Sequence, residues 1–176
     1  PGYGGSCFPK DTRALTTVAD KYDIETLIVD AVVEANERQR MAMVPKIKEL
    51  VRDFQGKRIG VLGLSFKPET DDMREAPAIE IIEELIAQGA SVCAYDPVAM
   101  DEAKKSLPNI DYAENEYDAI EDADVLVIIT EWNQFRALDM NKVRSLLKSP
   151  KIADLRNIYE PKDMKELGFE YVGVGR

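Results

Sequence analysis

Apolar residues in the first third of the chain recur at the spacing of an α-helix. They lie three and four residues apart, which places them on one helix face, at Ile24, Leu27, Ile28, Ala31, Val32 and Ala35. The same stripe resumes at Met41, Val44, Ile47, Leu50, Val51 and Phe54. Because a proline lacks a backbone donor and crowds the preceding turn, we expect a kink or a break just before Pro45. A helix over residues 25–54 would span about 45 Å and would suit a connector or a dimer seam.

Beyond residue 57 the apolar positions group into short runs rich in β-branched residues. The runs are RIGVLGL (58–64), SVCAYD (91–96), DVLVIIT (124–130), KIADL (151–155) and EYVGV (170–174). Helical stretches separate them: APAIEIIEELIAQG, AMDEAKKSL, NKVRSLLK and PKDMKELG. Strands that alternate with helices indicate a parallel sheet covered on both faces. The pattern therefore predicts an α/β protein, with a helical segment at 1–56 followed by a doubly wound, Rossmann-like domain at 57–176.

Charge and composition narrow the set of partners. Lys and Arg number 23 against 33 Asp and Glu, and the net charge of −10 argues against nucleic acid or an anionic membrane as the main partner. No apolar run approaches the roughly 18 residues that a membrane span needs. The two cysteines stand in different contexts and do not suggest a disulfide framework, so a reducing cytoplasm is expected. Because histidine is absent, any general acid or base must be Lys, Asp, Glu, Tyr or Cys.

The first candidate site is the opening stretch GYGGSCFPKD. Its glycines allow the backbone to approach a ligand and to turn amides toward whatever lies beside Cys7. A helix is predicted to start in KDTRALTTVAD, with Asp11 or Thr12 as its cap. Cys7 would then precede a helix N-terminus and lie near Lys10, and both features favour a nucleophilic thiolate. The alternative is a buried structural cysteine in a glycine-rich turn, and Cys93, inside SVCAY, is predicted to be an inert core residue.

The second candidate site is GVLGLSFKPETDDMREAP, residues 60–77. Gly60 and Gly63 resemble part of a dinucleotide-binding fingerprint, for which Asp96 could be the ribose acid. A long polar loop replaces the third glycine, however, and it offers an aromatic ring for stacking and cations for phosphates at the carboxyl end of a parallel sheet. The alternative is a variable surface loop with solvated charges. An aromatic trio is read as core or as pocket wall: Tyr95, Trp132 and Phe135.

Several ordered motifs together resemble the nucleotide-sugar 6-dehydrogenases, most closely those that act on UDP-glucose. The motifs are GYGGSCFPKD, NERQ (36–39), GLSFKPETDDMREAP, YDP (95–97), TEWNQF (130–135) and DLRN (154–157). The resemblance covers essentially the whole chain but not the amino-terminal NAD-binding Rossmann domain of that family. It therefore implies a central helical segment plus a carboxy-terminal domain that binds the UDP-sugar, from a protein truncated at its amino terminus.

The resemblance also implies roles for particular residues. Cys7 is the expected nucleophile and Asp11 an acid/base that helps to activate water, while Lys10 and Arg74 are expected near NAD. Six residues are expected to contact the sugar nucleotide: Gly2, Tyr3, Gly4, Phe66, Lys67 and Arg156. Leu155 departs from the pattern, because many members carry glycine before the arginine, and this bears on the placement of Arg156.

The reaction implied by the resemblance is the oxidation of UDP-glucose to UDP-glucuronate in two hydride transfers, through a cysteine thiohemiacetal and thioester. The isolated chain is expected to lack activity. A GDP-mannose 6-dehydrogenase, a stand-alone NAD-binding Rossmann module with an incidental cysteine, and a dimerisation element remain as alternatives. We also expect a homodimer through residues 24–54, because a long exposed apolar stripe is costly in water.

Overall fold

Three helices precede the first strand in the computed structural model, which describes all residues from 1 to 176. They are α1 (Phe8–Asp20), α2 (Leu27–Met41) and α3 (Met43–Val51). Only Ala42 separates α2 from α3, and its backbone remains in the right-handed helical region. The predicted long helix with a break just before Pro45 is therefore confirmed.

Six strands form one sheet in which every pairing is parallel. Their spatial order is β3-β2-β1-β4-β5-β6, which is the order of a doubly wound sheet and confirms the predicted fold class. The strands are β1 (Arg58–Leu62), β2 (Ser91–Tyr95), β3 (Asp111–Tyr112), β4 (Val125–Ile128), β5 (Lys151–Asp154) and β6 (Glu170–Gly173). Strand β3 was not predicted, because its two residues are too few to show a period.

Six further helices cover the sheet. They are α4 (Pro77–Ala87), α5 (Met100–Ser106), α6 (Glu116–Ile120), α7 (Asn133–Arg136), α8 (Met140–Leu146) and α9 (Pro161–Glu166). Helices α6 and α7 escaped prediction because each is about one turn long, too short for a helical period. None of the helices combines the length and the apolar character that crossing a bilayer requires.

The core lies on both faces of the sheet, since alternate residues of each strand point to opposite sides. On one face, Ile47 of α3 and the nearby Phe54 are completely buried in a cluster that also contains Val61. On the other face, Phe135 is buried in a cluster that contains Leu126. Helix α3 thus shares a core with the sheet, although it precedes residue 57, and the division of the chain at that residue stays a prediction.

Two sequence expectations about buried side chains hold. Cys93 is 4% exposed, and burial raises the pKa of its thiol, which fits an inert core residue. Trp132 and Phe135 are buried core residues, and Tyr95 packs its ring edge-on against Phe135 with 6.4 Å between ring centroids.

The apolar stripe of α2 points outward, while polar residues of the same helix are buried. Ile28 is 81% exposed, whereas Asn36 is 8% and Arg40 only 3% exposed. We define the α1–α2 apolar surface by its exposed members: Phe8, Leu15, Val18, Tyr22, Ile24, Leu27, Ile28 and Val32. The second half of the stripe, on α3, packs on the sheet of its own chain, so it is not available to a partner.

Candidate functional site

Cys7 stands at the start of α1, but the helix begins earlier than the sequence suggested. Phe8 is the first helical residue and Cys7 is the N-cap, so the prediction that Asp11 or Thr12 caps the helix is wrong. The reason is Pro9, which lies in the first turn, where its fixed φ suits a helix and its missing N–H leaves no donor unsatisfied. Cys7 is exposed, and its Sγ lies 3.7 Å from Ser6 Oγ.

Two charged residues follow Cys7 within the first turn of α1. Lys10 Nζ lies 3.2 Å from Asp11 Oδ1, and both side chains are exposed. The amide of Asp11 donates to the carbonyl oxygen of Cys7 at 2.8 Å, which places the carboxylate one turn beyond the thiol. A helix N-terminus with an adjacent base is an arrangement that can serve a thiol nucleophile.

The glycines before Cys7 allow its loop to lie directly on the loop that follows β1. A Cβ on Gly4 would come 2.2 Å from the carbonyl oxygen of Glu75, and a Cβ on Gly5, at φ +86°, would come 2.7 Å from the ring of Phe66. The Gly5 amide donates to the carbonyl of Arg74 at 2.9 Å. The Gly5 amide is therefore used in the contact between the two loops.

Cys7 lies in a cleft of about 400 Å³ with residues from the second candidate stretch. Gly4 and Cys7 line one side, and Phe66 and Lys67 line the other. Lys67 Nζ lies 5.4 Å from the centroid of the Phe66 ring. The predicted nucleophile thus shares one opening with three of the six predicted sugar-nucleotide residues, Gly4, Phe66 and Lys67. The size of this opening falls within the range of small-ligand pockets.

A second cleft of about 700 Å³ adjoins the same loop and has no apolar side chain in its lining. Lys10 and Arg74, the two residues expected near NAD, both line it, together with Arg13. Arg74 donates to Asp72 at 2.8 and 2.9 Å, and this bonding lowers the pKa of Asp72. Arg13 holds Glu75 with two bonds, at 2.9 and 3.2 Å, which lower the pKa of that carboxyl. Since Lys10, Arg13 and Arg74 are each paired with a carboxylate, a phosphate would bind here in exchange for one of these partners.

Three other predicted substrate residues, Gly2, Tyr3 and Arg156, line neither cleft and contact other parts of the protein. Gly2 has φ +92°, and a Cβ there would come 2.6 Å from Asn36 Oδ1, while the Tyr3 ring packs edge-on against Phe8 at 4.5 Å between centroids. Arg156, after β5, donates from Nε to the Ile129 carbonyl and from Nη2 to the Phe66 carbonyl, at 2.8 and 3.1 Å. Direct contact of these residues with a sugar nucleotide stays a prediction.

Arg156 is held in place by an ion pair with Glu131 and by the backbone bond of the preceding residue. Its Nε lies 2.9 Å from Glu131 Oε2, and burial lowers the pKa of the guanidinium while Glu131 opposes that change. Leu155 is buried, and its amide donates to the Ile128 carbonyl at 3.0 Å. Leucine in place of glycine therefore leaves the backbone before Arg156 bonded to β4.

Asp96 proves to be a structural residue. It is completely buried after β2, and its carboxylate accepts hydrogen bonds from the Leu64 amide and the Trp132 indole, at 2.8 and 3.2 Å. Its other oxygen accepts from the amides of Val98 and Ala99. The reading of Asp96 as a ribose acid is wrong, because the carboxylate is enclosed and holds the turns after β1 and β2.

Sequence reasoning missed the buried residues Asn36 and Arg40 of α2. Asn36 Oδ1 accepts from the Tyr3 amide at 2.7 Å, and Arg40 Nη2 donates to the Tyr3 carbonyl at 2.8 Å. The available signal was their spacing of one helical turn, opposite an apolar stripe that turned out to be exposed. Apolar periodicity alone predicts that the opposite face of this helix is buried.

The parallel sheet with clefts beside the loop after β1 defines a Rossmann-like α/β protein with a cysteine at its candidate site. A family model described as the UDP-glucose/GDP-mannose dehydrogenase family, UDP binding domain, matches residues 60–161. The model of the central domain of that family matches residues 1–38. The chain belongs to the UDP-glucose/GDP-mannose dehydrogenase family, as its motifs indicated.

Individual relatives match along nearly the whole chain. A UDP-glucose 6-dehydrogenase of Rhizobium meliloti is 47% identical over 100% of this chain and 40% of its own length. UDP-glucose 6-dehydrogenase TuaD of Bacillus subtilis is 43% identical over 99% of this chain and 38% of its own. The solved structure of a UDP-glucose dehydrogenase from Pyrobaculum islandicum has a TM-score of 0.83 and 33% identity over 98% of this chain and 38% of that one. The chain thus spans about 40% of the length of the curated relatives it matches.

Proposed function

We propose that this chain supplies the catalytic cysteine and the sugar-nucleotide site of an NAD-dependent UDP-glucose 6-dehydrogenase, which oxidises UDP-glucose to UDP-glucuronate. In this proposal residues 1–56 carry the nucleophile and residues 57–176 bind the UDP-sugar. The observation that carries it is the single cleft lined by Cys7, Phe66 and Lys67. The names of the relatives and the UDP-binding family model support the choice of substrate.

The thiol has a defined task in this reaction. The Cys7 thiolate adds to the aldehyde carbon at C6 of the sugar, and the resulting thiohemiacetal keeps a reactive aldehyde on the protein. After oxidation to the thioester, water attacks the carbonyl carbon, and the carboxylate and the free thiol are released. Asp11 accepts a proton from that water, a task that its exposed position one turn beyond Cys7 permits.

In this proposal the second cleft receives part of the cofactor. When bound, NAD accepts one hydride in each of the two oxidation steps, from alcohol to aldehyde and from the thiohemiacetal to the thioester. Lys10 and Arg74 would hold its phosphates, since both line a polar cleft that also contains Arg13. In the proposal, an NAD-binding domain outside these residues holds the rest of the cofactor. On that basis we expect no reduction of NAD by the isolated chain, and formation of NADH from UDP-glucose by the purified chain would contradict this.

Replacement of the cysteine tests the catalytic proposal. In a protein that carries this chain together with an NAD-binding domain, Cys7→Ser should abolish formation of UDP-glucuronate, because a hydroxyl cannot replace the thiolate as nucleophile. Cys93→Ser is the matched control, since Cys93 is buried away from the cleft, and it should retain turnover. Product formation by Cys7→Ser at the unmodified rate would favour a Rossmann module with an incidental cysteine.

The nucleotide preference separates this proposal from the alternative of a GDP-mannose 6-dehydrogenase. Calorimetric titration of the chain should detect binding of UDP and UDP-glucose and weaker binding of GDP and GDP-mannose. Lys67→Ala should weaken UDP binding about tenfold, as expected for one charge-assisted contact to a phosphate. Tighter binding of the guanine nucleotides would reverse the assignment.

We also propose that two copies of the chain associate through the α1–α2 apolar surface. Ile28 and Leu27, 81% and 71% exposed, support a partner there, because large apolar side chains in water favour burial.

We further propose that the protein acts in the cytoplasm. Both cysteines are free thiols, and one of them is exposed, which suits a reducing compartment.

A further inference from the structure

Arg40 is a buried cation that contacts two separate loops of the candidate site. It lies in α2 and is 3% exposed. Its Nη2 donates to the carbonyl oxygens of Tyr3 and Glu75, at 2.8 and 2.9 Å, and its Nη1 pairs with Glu80 of α4. One guanidinium therefore joins the loop that carries Cys7, the loop that follows β1, and two helices.

Packing does not explain this choice of residue. A buried charge is costly to desolvate, and an apolar side chain of similar volume often serves stability as well or better. Moreover, Arg40 Nε is buried and donates to no protein atom. What the planar guanidinium provides is a fixed set of donors, with Nη2 on the two carbonyl oxygens and Nη1 on Glu80. The residue therefore suits geometric control better than it suits stability.

The two carbonyls belong to segments that border the clefts, since Glu75 lines the larger cleft and Tyr3 directly precedes Gly4, which lines the smaller one. The Glu75 carbonyl is also the atom nearest to Gly4, and Glu75 takes a left-handed φ of +52°, a strained conformation that needs support. Tyr3 is fixed from both sides by Asn36, whose Oδ1 accepts from its amide and whose Nδ2 donates to its carbonyl, at 2.7 and 3.2 Å. Arg40 and Asn36 together thus fix the Cys7 loop against the wall of the cleft.

We propose that Arg40, assisted by Asn36, is a positioning residue that fixes the Cys7 thiol relative to a sugar bound at Phe66 and Lys67. This inference rests on the proposed function. Its chemical consequence concerns the aldehyde. A correctly placed Cys7 thiolate adds to the carbonyl carbon before the aldehyde leaves, the C=O π bond opens, and the oxygen takes up a proton from water to complete the thiohemiacetal. A displaced thiol lets part of the aldehyde escape after the first oxidation.

The ratio of NADH to UDP-glucuronate measures that escape. Complete oxidation forms two NADH for each UDP-glucuronate, whereas every aldehyde that leaves adds one NADH without the acid. In a protein that carries this chain and an NAD-binding domain, Arg40→Lys should raise the ratio above two and lower kcat about tenfold or more, with a smaller change in KM for UDP-glucose. Lysine keeps the charge, but its single flexible ammonium lacks the rigid plane that holds both carbonyls and Glu80 at the same time.

The control is Arg38→Lys, the same exchange on the same helix at an exposed residue whose only ion pair is with Glu34, at 3.8 Å. It should keep a ratio of two and the unmodified kcat. A merely structural role would lower the amount of active protein and leave the ratio at two. Asn36→Ala provides a second variant if Arg40→Lys fails to fold, and a raised ratio is expected there as well.

Cys7→Ser in the same assay separates the two failures. If Cys7→Ser forms no UDP-glucuronate while Arg40→Lys and Asn36→Ala both keep a ratio of two and an unchanged kcat, the positioning role is overturned and the proposed function stands. If Cys7→Ser still forms UDP-glucuronate at the unmodified rate, the proposed function fails and the inference fails with it.

Discussion

At the scale of single residues, the site depends on positions where a side chain would not fit. Gly4 and Gly5 bring the Cys7 loop within contact of Glu75 and Phe66, and so the thiol and the cleft wall belong to one packed unit. The sequence shows these residues as a cluster of glycines. It does not predict which residues they contact, because a contact between two loops far apart in the chain leaves no local pattern.

Alanine at Gly5 tests this contact. Gly5→Ala should lower the free energy of unfolding by about 1–2 kcal/mol for the left-handed backbone, and by about 1–3 kcal/mol more because the Cβ displaces the Phe66 ring. Gly56→Ala is the matched control, since Gly56 also has a positive φ but no atom within 4 Å of a Cβ. Urea unfolding of both variants measures the difference, and equal losses would show that the Phe66 contact contributes nothing.

Some residues of the candidate site could be predicted from the sequence and others could not. Cys7, Phe66 and Lys67 were predicted from their motifs, and the structure places them in one cleft. Arg40 was not predicted, because hydrophobic periodicity assigns a cation to the solvent face, and only tertiary contacts reveal that this one is buried.

At the scale of elements, helix α2 reverses the usual arrangement. It buries a polar pair against the site and exposes its apolar residues, whereas α3 buries its apolar residues in the core of the sheet. The helical period predicted both helices and the break between them. It could not predict which half of the apolar stripe is buried within the chain and which half is exposed. That depends on the path of the loop at residues 1–7, which occupies the polar face of α2.

The exposed face of α2 makes a prediction about association. Ile28→Glu should convert a dimer into a monomer in light scattering, because a buried charge without a partner opposes association. Val98→Glu is the control: Val98 is 53% exposed and lies outside α1 and α2, so its replacement should leave the mass unchanged. An unmodified chain that is monomeric at high concentration, or a dimer that survives Ile28→Glu, would contradict the proposed interface.

At the scale of the whole molecule, the doubly wound sheet was the most predictable feature. Short strands rich in β-branched residues alternate with helices, and this alternation leaves few topologies open. The elements that were missed, α6, α7 and β3, are too short to show a period. The order of the strands brings the loops after β1 and β2 to one edge, where Asp96 joins them.

Acid stability provides a test of a second carboxylate that joins distant segments. Burial alone would raise the pKa of Asp124, but hydrogen bonds from the Arg58 amide and Lys57 outweigh it and hold the pKa below its usual range. A depressed pKa contributes stability that is present above the unfolded value, about 4, and is lost as the pH falls through the folded value.

Asp124→Asn should therefore be less stable than the unmodified chain at pH 7, by about 1–3 kcal/mol, and the difference should shrink below pH 4. The control is Asp101→Asn, since Asp101 is 93% exposed and paired only with Lys104, and it should change stability little. Urea unfolding over a pH series measures both variants. A constant difference between the Asp124→Asn and unmodified curves across that range would contradict the assignment.

Protection of Cys7 from alkylation is the measurement that tests whether its thiol faces the opening in which we propose that a sugar nucleotide binds. Iodoacetamide should modify Cys7 in the folded chain and leave the buried Cys93 unmodified, as mass spectrometry can record for each cysteine. Saturating UDP-glucose should slow modification of Cys7 severalfold, and Lys67→Ala should weaken that protection. An equal rate of Cys7 modification with and without UDP-glucose would contradict the placement of the thiol at the sugar-nucleotide site.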